Sequence, residues 1–368
     1  MAGLHWNAEA LRVQLAPLLP GVAIEIAATT GSTNTDLLER ARASARAIAG
    51  DPRSATSATP PIRRTRTTAR DVAGNAAVQV RRSIESGAYA GGTRAGLGSE
   101  DAACGPHTPC LLVAEQQTAG RGRMGRVWHA EPGASLTFSL ALELGAVDWS
   151  GLSLAVGVAL ADALDPTVEG RAARIALKWP NDLWLLDEPG RGRKLGGVLI
   201  ESIPFGAKRV AVVGVGLNVR PAAAHADFAS GYACMQELMP SASAPALLAE
   251  AAPALVEALQ LFERSGFAAF HERYAARDLL FGQAVRTSGA DGCEGIAEGV
   301  TSQGALIVRN ADGQVQQVVS GEVSVRLADP ASACGNSIGH GTAEQIAGHG
   351  DAPADNAPAP PMPTAARC

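Results

Sequence analysis

Between residues 41 and 109 the chain nearly stops supplying large apolar side chains, and that gap constrains the fold more than any other feature. The stretch is mostly Ala, Arg, Ser, Thr, Pro and Gly. Such a composition cannot bury enough apolar surface to offset the entropy of ordering it. The gap reads as a long insertion, largely disordered or loosely helical, between two parts of one domain. Residues 329–368 have the same character and read as a disordered tail. Any packed core must come from residues 22–40 and 110–328.

Within those limits, Val22 to Leu38 reads as a strand followed by a helix. Thr29 to Asn34 supplies the small hydroxyl and amide residues that cap helices at the junction. Leu111 to Ala114 reads as a short apolar strand, and Ser135 to Leu142 alternates with period two, as a half-buried strand does. Leu152 to Leu164 has helical apolar spacing. Further strands are expected at Arg174–Lys178, Gly197–Ile203 and Arg209–Val219. Pro245 to Arg277 reads as two helices parted at Ser265-Gly266. From Phe281 to Leu327, short strands alternate with turn signals at Gly289–Gly292 and Asn310–Gly313, the pattern of a small β-barrel. The expected organisation is a lead-in at 1–21, a main domain at 22–277 carrying the 41–109 insertion, a barrel at 278–328 and the tail.

The net charge of −5 argues against a general nucleic-acid binder. Its distribution is uneven: residues 53–94 carry eight arginines against Asp71 and Glu85. That run leaves a second kind of function open, a tether to nucleic acid or an acidic partner, although Tyr89 is its only aromatic residue. The six cysteines form no C-x-x-C pair and read as reduced thiols, with a disulfide or zinc role for Cys104 and Cys110 as the alternative. No run of about 18 apolar residues marks a membrane span. Met1 to Trp6 lacks a signal-peptide pattern, so a cytoplasmic protein is expected.

Two cationic clusters stand out against this background. One is Gly120-Arg121-Gly122-Arg123-Met124-Gly125-Arg126-Val127-Trp128. The other is Lys178-Trp179-Pro180-Asn181-Asp182, followed by Lys194-Leu195-Gly196-Gly197. Glycines let a backbone approach a ligand, and arginines offer forked donors to carboxylate or phosphate oxygens. Gly120-x-Gly122-x-x-Gly125 also matches a dinucleotide-binding fingerprint, but that fingerprint opens a helix. Here Trp128, Pro132, Gly133 and a β-patterned run follow instead. A solvated arginine loop is the bland alternative, yet three arginines so close repel one another unless an anion sits among them. A nucleotide and a small acid held together point to adenylation of the acid.

The run Glu115 to Trp128 resembles the biotin-binding loop of biotin protein ligases. Ser32-Thr33-Asn34, Lys178 to Asp182, Lys194 to Glu201, Gly214-Val-Gly-Leu-Asn-Val219 and Ser320 to Arg326 resemble that family's other motifs, in the family's order. The resemblance covers residues 22–40 and 110–328. It implies an α+β fold: a mixed or antiparallel central sheet with helices, like a class II aminoacyl-tRNA synthetase, plus a small C-terminal SH3-like barrel. The implied reaction joins biotin to ATP as biotinyl-5'-AMP, with Mg²⁺ as cofactor. The acyl group then passes to a lysine of a biotin carboxyl carrier protein, a subunit of acetyl-CoA carboxylase or another biotin-dependent carboxylase. A lipoate ligase is the nearest alternative within that fold. The roughly 20 residues ahead of the main domain are too few for the DNA-binding module of some members, so no specific DNA is expected. Some members pair through sheet edges, which makes a homodimer one expectation.

By the same resemblance Lys194 lies between the biotin carboxylate and the α-phosphate, as a compact point charge. Arg121 and Arg123 face the ligands from the loop, and Arg126 touches ATP phosphates. Ser32, Thr33, Asn34 and Gln117 bind the cyclic urea, while Gly120 and Gly122 permit close backbone approach. For Ser32 and Thr33, helix capping is the plainer reading. Asn181 and Asp182 serve the nucleotide, Asp182 with a Mg²⁺ contact, or else simply form a turn. Lys178 reaches a phosphate, and adenine or ribose lies against bare backbone at Gly214, Gly216 and Asn218. Tyr232 is a stacking candidate for adenine. Trp128 either packs under the loop or covers the ligand. Glu322 and Arg326 reach back from the barrel or form an ordinary surface ion pair.

Overall fold

The computed structural model describes residues 4–48, 108–145, 148–188, 191–205, 208–221, 231–288 and 292–319, with strand backbone at 94–96 and 325–327. Most of the 41–109 insertion, the 329–368 tail, Cys104, Glu322 and the turn signal at 289–291 lie outside the described residues.

Eight strands form the main sheet: β1 (Ala23–Thr30), β2 (Arg94–Gly96), β3 (Cys110–Gln117), β4 (Ser135–Leu144), β5 (Ile175–Lys178), β6 (Asp182–Glu188), β7 (Arg191–Phe205) and β8 (Lys208–Asn218). Their order is β2-β1-β3-β4-β8-β7-β6-β5. β1 and β3 run parallel, and every other pair is antiparallel. The helices are α1 (Ala8–Leu15), α2 (Thr33–Ile48), α3 (Leu152–Leu164), α4 (Ala244–Ser265) and α5 (His271–Ala275). The expected α+β class with a mixed sheet is what forms.

Apolar side chains sort by strand parity. Leu111, Val113, Leu136, Phe138 and Leu140 point into the core shared with α3 and α4. Leu112, Ala141, Val210 and Val212 pack instead with Leu37 and Leu38 of α2. β4 is consequently buried on both faces, not half-buried as its alternation predicts. Its alternate positions Ser135, Thr137 and Ser139 are small and polar yet buried, Ser139 against the start of α2 and Thr137 against the Trp128 indole.

Four further expectations change. The helix expected to end near Leu38 continues to Ile48. The insertion also supplies the edge strand β2, whose pairing with β1 uses backbone groups and needs no apolar side chain. The lead-in belongs to the core: the Trp6 indole donates to Glu115 Oε1 at 2.9 Å, and Leu11 and Leu15 are buried. Cys110 is disulfide-bonded, against the expectation of reduced thiols, whereas Cys234 and Cys293 are free. By length and composition α4 is apolar enough to cross a membrane. Leu247, Leu248, Leu255, Leu259 and Phe262 are nonetheless packed in the core, which explains its composition.

A second, antiparallel sheet contains β9 (Ala284–Thr287), β10 (Glu294–Val300), β11 (Leu306–Arg309), β12 (Val315–Val318) and β13 (Val325–Leu327), in the order β12-β11-β10-β9-β13. This is the small SH3-like module. It is tied to the first sheet at a telling place: the buried Trp179 indole donates to Gly304 O at 3.0 Å. The next peptide bond, Trp179–Pro180, is cis.

Asp278 lies where the chain passes between the sheets. Its Oδ1 accepts from Leu280 N at 2.9 Å, while Oδ2 is buried without a partner. Burial pushes its carboxyl up to about 6. Protonation is thus favoured by the folded state. The carboxyl costs the fold nothing below the unfolded value near 4, and the penalty of ionising it grows as pH rises through 6 and is complete above it. Asp278→Asn is expected to raise thermal stability at pH 7.5, by about 2 kcal/mol, with the gain shrinking toward pH 4.5. Melting curves of both proteins across that range check this; a gain independent of pH contradicts it.

Candidate active site

The site is built on the sheet face beneath α2. Thr137, Gly216 and Gly197 lie side by side across β4, β8 and β7, and Ser139, Gly214 and Leu199 form the next row. Small residues in adjacent rows leave a trough in the sheet surface. Its glycines admit protein side chains, not bare ligand contact as the sequence suggests. A Cβ on Gly214 would collide with Asn34 Oδ1 and lie 2.9 Å from its Cγ. A Cβ on Gly216 would lie 2.5 Å from Cε2 of Trp128.

At one end of the trough stands a polar cluster. Gln117 Oε1 accepts from Thr33 N at 2.8 Å and from Thr33 Oγ1 at 3.2 Å. Ser139 Oγ lies 2.7 Å from Thr33 Oγ1 and donates to Asn34 Oδ1 at 2.6 Å. All four residues are buried, as is Ser32, whose Oγ lies at the hydrogen-bond limit from Thr35 N. The hydroxyls that begin α2 thus lie at this end of the trough, Ser32 in a capping position.

At the other end, cations from separate segments meet the Asn181-Asp182 turn. A β-bulge is the device that brings Lys194 there. The β6–β7 ladder pairs Leu183 with Gly196 but Trp184 with Lys194, so Leu195 is an extra residue. One extra residue flips the face of the strand beyond it. Lys194 therefore shares a face with Gly197, Leu199 and Glu201. Its ammonium reaches Asp182 Oδ1 at 2.8 Å. Arg123 donates to Asn181 Oδ1 at 3.3 Å, and the Asn181 amide donates to Val198 O at 2.7 Å. Burial lowers the pKa of Arg123, Asp182 raises it, and nearby Arg126 lowers it again. A cation partly desolvated and beside another cation is poised for an anion.

The loop itself is a short flap. Gly122 N donates to Arg126 O at 2.7 Å, and Trp128 N to Gly120 O at 2.9 Å. A side chain on Gly120 would strike the Trp128 carbonyl. Met124 adopts φ 55°, and both Met124 and Val127 are exposed. The Trp128 indole lies over Gly216 with Nε1 3.4 Å from Thr137 Oγ1. Arg121 turns from this end toward the polar cluster, pairing with Glu201 at 3.0 Å.

Other expected contacts lie elsewhere. Lys178 holds its ammonium 4.6 Å from the Trp184 ring centroid. The Asn218 amide donates to Ala233 O at 2.9 Å and Lys194 O at 3.3 Å, so it ties backbone together. The Tyr232 hydroxyl donates to Arg220 O at 2.7 Å, and burial raises its pKa. Arg193 holds the Tyr232 carbonyl while pairing with Asp187 and Glu237. Arg326 sits on β13 opposite Arg286, and its side chain is outside the described residues. Among the described residues no cluster of three or more His, Cys, Asp or Glu could hold a metal. The Asp182 carboxylate, expected to meet Mg²⁺, is already engaged by Lys194. Sequence reasoning missed Ser139, Thr137, Thr35 and Glu201; Ser139 and Thr137 show only as polar interruptions of β4, and Glu201 only as the end of a quoted motif.

Comparison with known proteins agrees with this geometry. The model of the Biotin/lipoate A/B protein ligase family matches residues 99–218, and that of the biotin protein ligase C-terminal domain matches residues 281–326. The chain is 35% identical over 222 residues to the bifunctional ligase/repressor BirA of Salmonella typhimurium, covering 59% of this chain and 67% of that protein. It is 33% identical over 257 residues to the biotin–[acetyl-CoA-carboxylase] ligase of Mycobacterium tuberculosis, covering 66% of this chain and 88% of the relative. The structure of an Aquifex aeolicus biotin protein ligase in complex with biotin and ATP matches with a TM-score of 0.50 at 27% identity, over 60% of this chain and 89% of that one. On fold, site and likeness together, the chain belongs to the biotin protein ligase family.

Proposed function

We propose that the trough holds biotin and ATP end to end, and that the chain is an ATP-dependent ligase that biotinylates a carrier protein. One observation carries the reading: Lys194 and Arg123, from different segments, converge on the Asn181-Asp182 turn. They do so at the end of a trough whose opposite end presents buried hydroxyls and amides. A cyclic urea offers one carbonyl acceptor and two N–H donors, and Ser32, Thr33, Asn34 and Gln117 supply the matching polar atoms. The biotin carboxylate then lies toward Lys194, with the ATP α-phosphate beside it and the remaining phosphates toward Arg123 and Arg126.

A carboxylate oxygen attacks the α-phosphorus, the bond to the β-phosphate oxygen breaks, and pyrophosphate leaves with the electron pair. A lysine amine of the acceptor next attacks the acyl carbon, AMP departs, and an amide remains. Both steps accumulate negative charge near the α-phosphate, where fixed cations lower the barrier. The flap limits access of water to the mixed anhydride. Among the described residues no group of three or more carboxylate, histidine or cysteine side chains could cage a metal ion. Mg²⁺ would be held chiefly by the triphosphate and water, as its octahedral preference favours. The acceptor is a biotin carboxyl carrier protein of acetyl-CoA carboxylase or a related carboxylase, and dependence on ATP suits a cytoplasmic location.

Arg123→Ala is expected to slow biotin-dependent pyrophosphate release by about tenfold or more, at least 1.4 kcal/mol in the barrier. A wild-type rate with both substrates saturating removes Arg123 from the mechanism. For the overall reaction, the chain is incubated with ATP, Mg²⁺, biotin and an apo carrier domain. Addition of one biotinyl mass to a single carrier lysine, only when ATP is present, is the expected result. An unmodified carrier contradicts the proposal.

A further inference from the structure

One carboxylate ties the flap to the polar end of the site. Glu201 Oε2 accepts from the Asn34 amide at 3.1 Å, in the polar cluster at the head of α2. The same carboxylate receives the Arg121 guanidinium from the flap, Oε1 to Nη2 at 3.0 Å and Oε2 to Nη1 at 3.4 Å. Arg121 Nη1 also donates to Thr35 Oγ1 at 3.3 Å. An isolated surface ion pair stabilises little, because holding two long side chains together is entropically unfavourable. Here Glu201 is largely buried and already oriented by Asn34, which Leu199 O and Ser139 Oγ fix in turn. Much of the ordering therefore precedes the Arg121 contact. The bulge at Leu195 puts Glu201 on the same face as Lys194, so this carboxylate borders the trough itself.

We propose that Glu201 is a positioning residue: it latches the flap of residues 120–128 to the head of α2 and so governs how long the acyl-adenylate is retained. The proposal rests on the ligase reading above. It goes further by assigning retention of the intermediate to one side chain. Closure through Glu201 holds Arg121 over the trough without adding a cation beside the reacting phosphorus. Loss of the latch speeds escape of the intermediate much more than it slows the chemistry.

Two measurements test this, one of them without any ligand. Hydrogen exchange of the ligand-free chain follows the flap directly. In Glu201→Gln the amides of 120–128 are expected to exchange at least fivefold faster, with amides of α3 and α4 unchanged. Unchanged flap exchange overturns the latch, whatever the ligase activity proves to be. The second measurement is release of preformed biotinyl-adenylate from wild type, Glu201→Gln, Arg121→Ala and the double variant. Glu201→Gln is expected to release at least fivefold faster, while adenylate formation at saturating biotin and ATP falls by a smaller factor. Adding it to Arg121→Ala should change release no further. Release at the wild-type rate, or effects that multiply in the double variant, overturns the proposal. Arg121→Ala truncates an exposed side chain and leaves the Asn34–Glu201 bond in place. Should Glu201→Gln misfold, exchange in Arg121→Ala carries the test with the same expected and opposing results. If the wild type forms no adenylate, the ligase reading fails, and the exchange comparison still decides the latch.

Discussion

Lys194→Ala is expected to lower the rate of biotinyl-adenylate formation by about 100- to 1,000-fold, the range seen when one preorganised oxyanion-hole donor is removed. The Nζ atom sits 2.8 Å from Asp182 Oδ1 at the end of the trough where Arg123 also arrives. Removing it deletes a positive charge and leaves the Asp182 carboxylate uncompensated beside the site of an anionic transition state. Both changes raise the barrier. Lys194→Arg is not expected to restore activity, since a planar fork replaces a compact charge on a bulged strand. The side chain is partly exposed, so the melting temperature should fall by only a few degrees. Stopped-time assays of pyrophosphate release check the rate, and a rate within twofold of wild type excludes Lys194 from the chemistry.

Gly214→Ala is expected to raise the biotin KM at least tenfold while altering the ATP KM much less. The new methyl would collide with Asn34 Oδ1 on a strand paired on both sides. Asn34 cannot turn aside without losing Ser139 Oγ at 2.6 Å, Leu199 O at 3.1 Å or Glu201 at 3.1 Å. Overpacking of this kind costs about 1–3 kcal/mol, part of it appearing as lost stability and part as a displaced recognition group. Separate titrations of biotin and ATP distinguish the two substrates. Equal effects on both KM values contradict the placement of Asn34 in the biotin end of the trough.

Much of this molecule is visible in its residues, for reasons that can be named. Leu152 to Leu164 forms α3 with the predicted ends, because thirteen residues of helical apolar spacing overwhelm local alternatives. Lys194, Arg121 and Arg123 were readable because the motifs are short and contiguous. The features that escaped are relations between distant segments. Leu195 looks like any apolar strand residue, and only its pairing with β6 reveals the bulge that turns Lys194 to the trough. Gly214 and Gly216 read as places of close approach, and only the folded chain shows that Asn34 and Trp128 stand over them. Glu201 stands in a quoted motif without an evident partner, since Asn34 lies 167 residues away in the chain. Alternation in β4 suggests a solvent face, whereas the start of α2 covers it at Ser139 and the Trp128 indole covers it at Thr137.

The central claim is that the cations gathered at the Asn181-Asp182 turn join biotin to the α-phosphate of ATP. Mass spectrometry of the full chain mixed with ATP, Mg²⁺ and either biotin or lipoate tests it most directly. The expected result is the mass of biotinyl-5'-AMP with biotin, strongly reduced in Lys194→Ala, and no corresponding adduct with lipoate. An adenylate formed from lipoate and not from biotin, or the same biotinyl-adenylate yield from Lys194→Ala as from wild type, contradicts it.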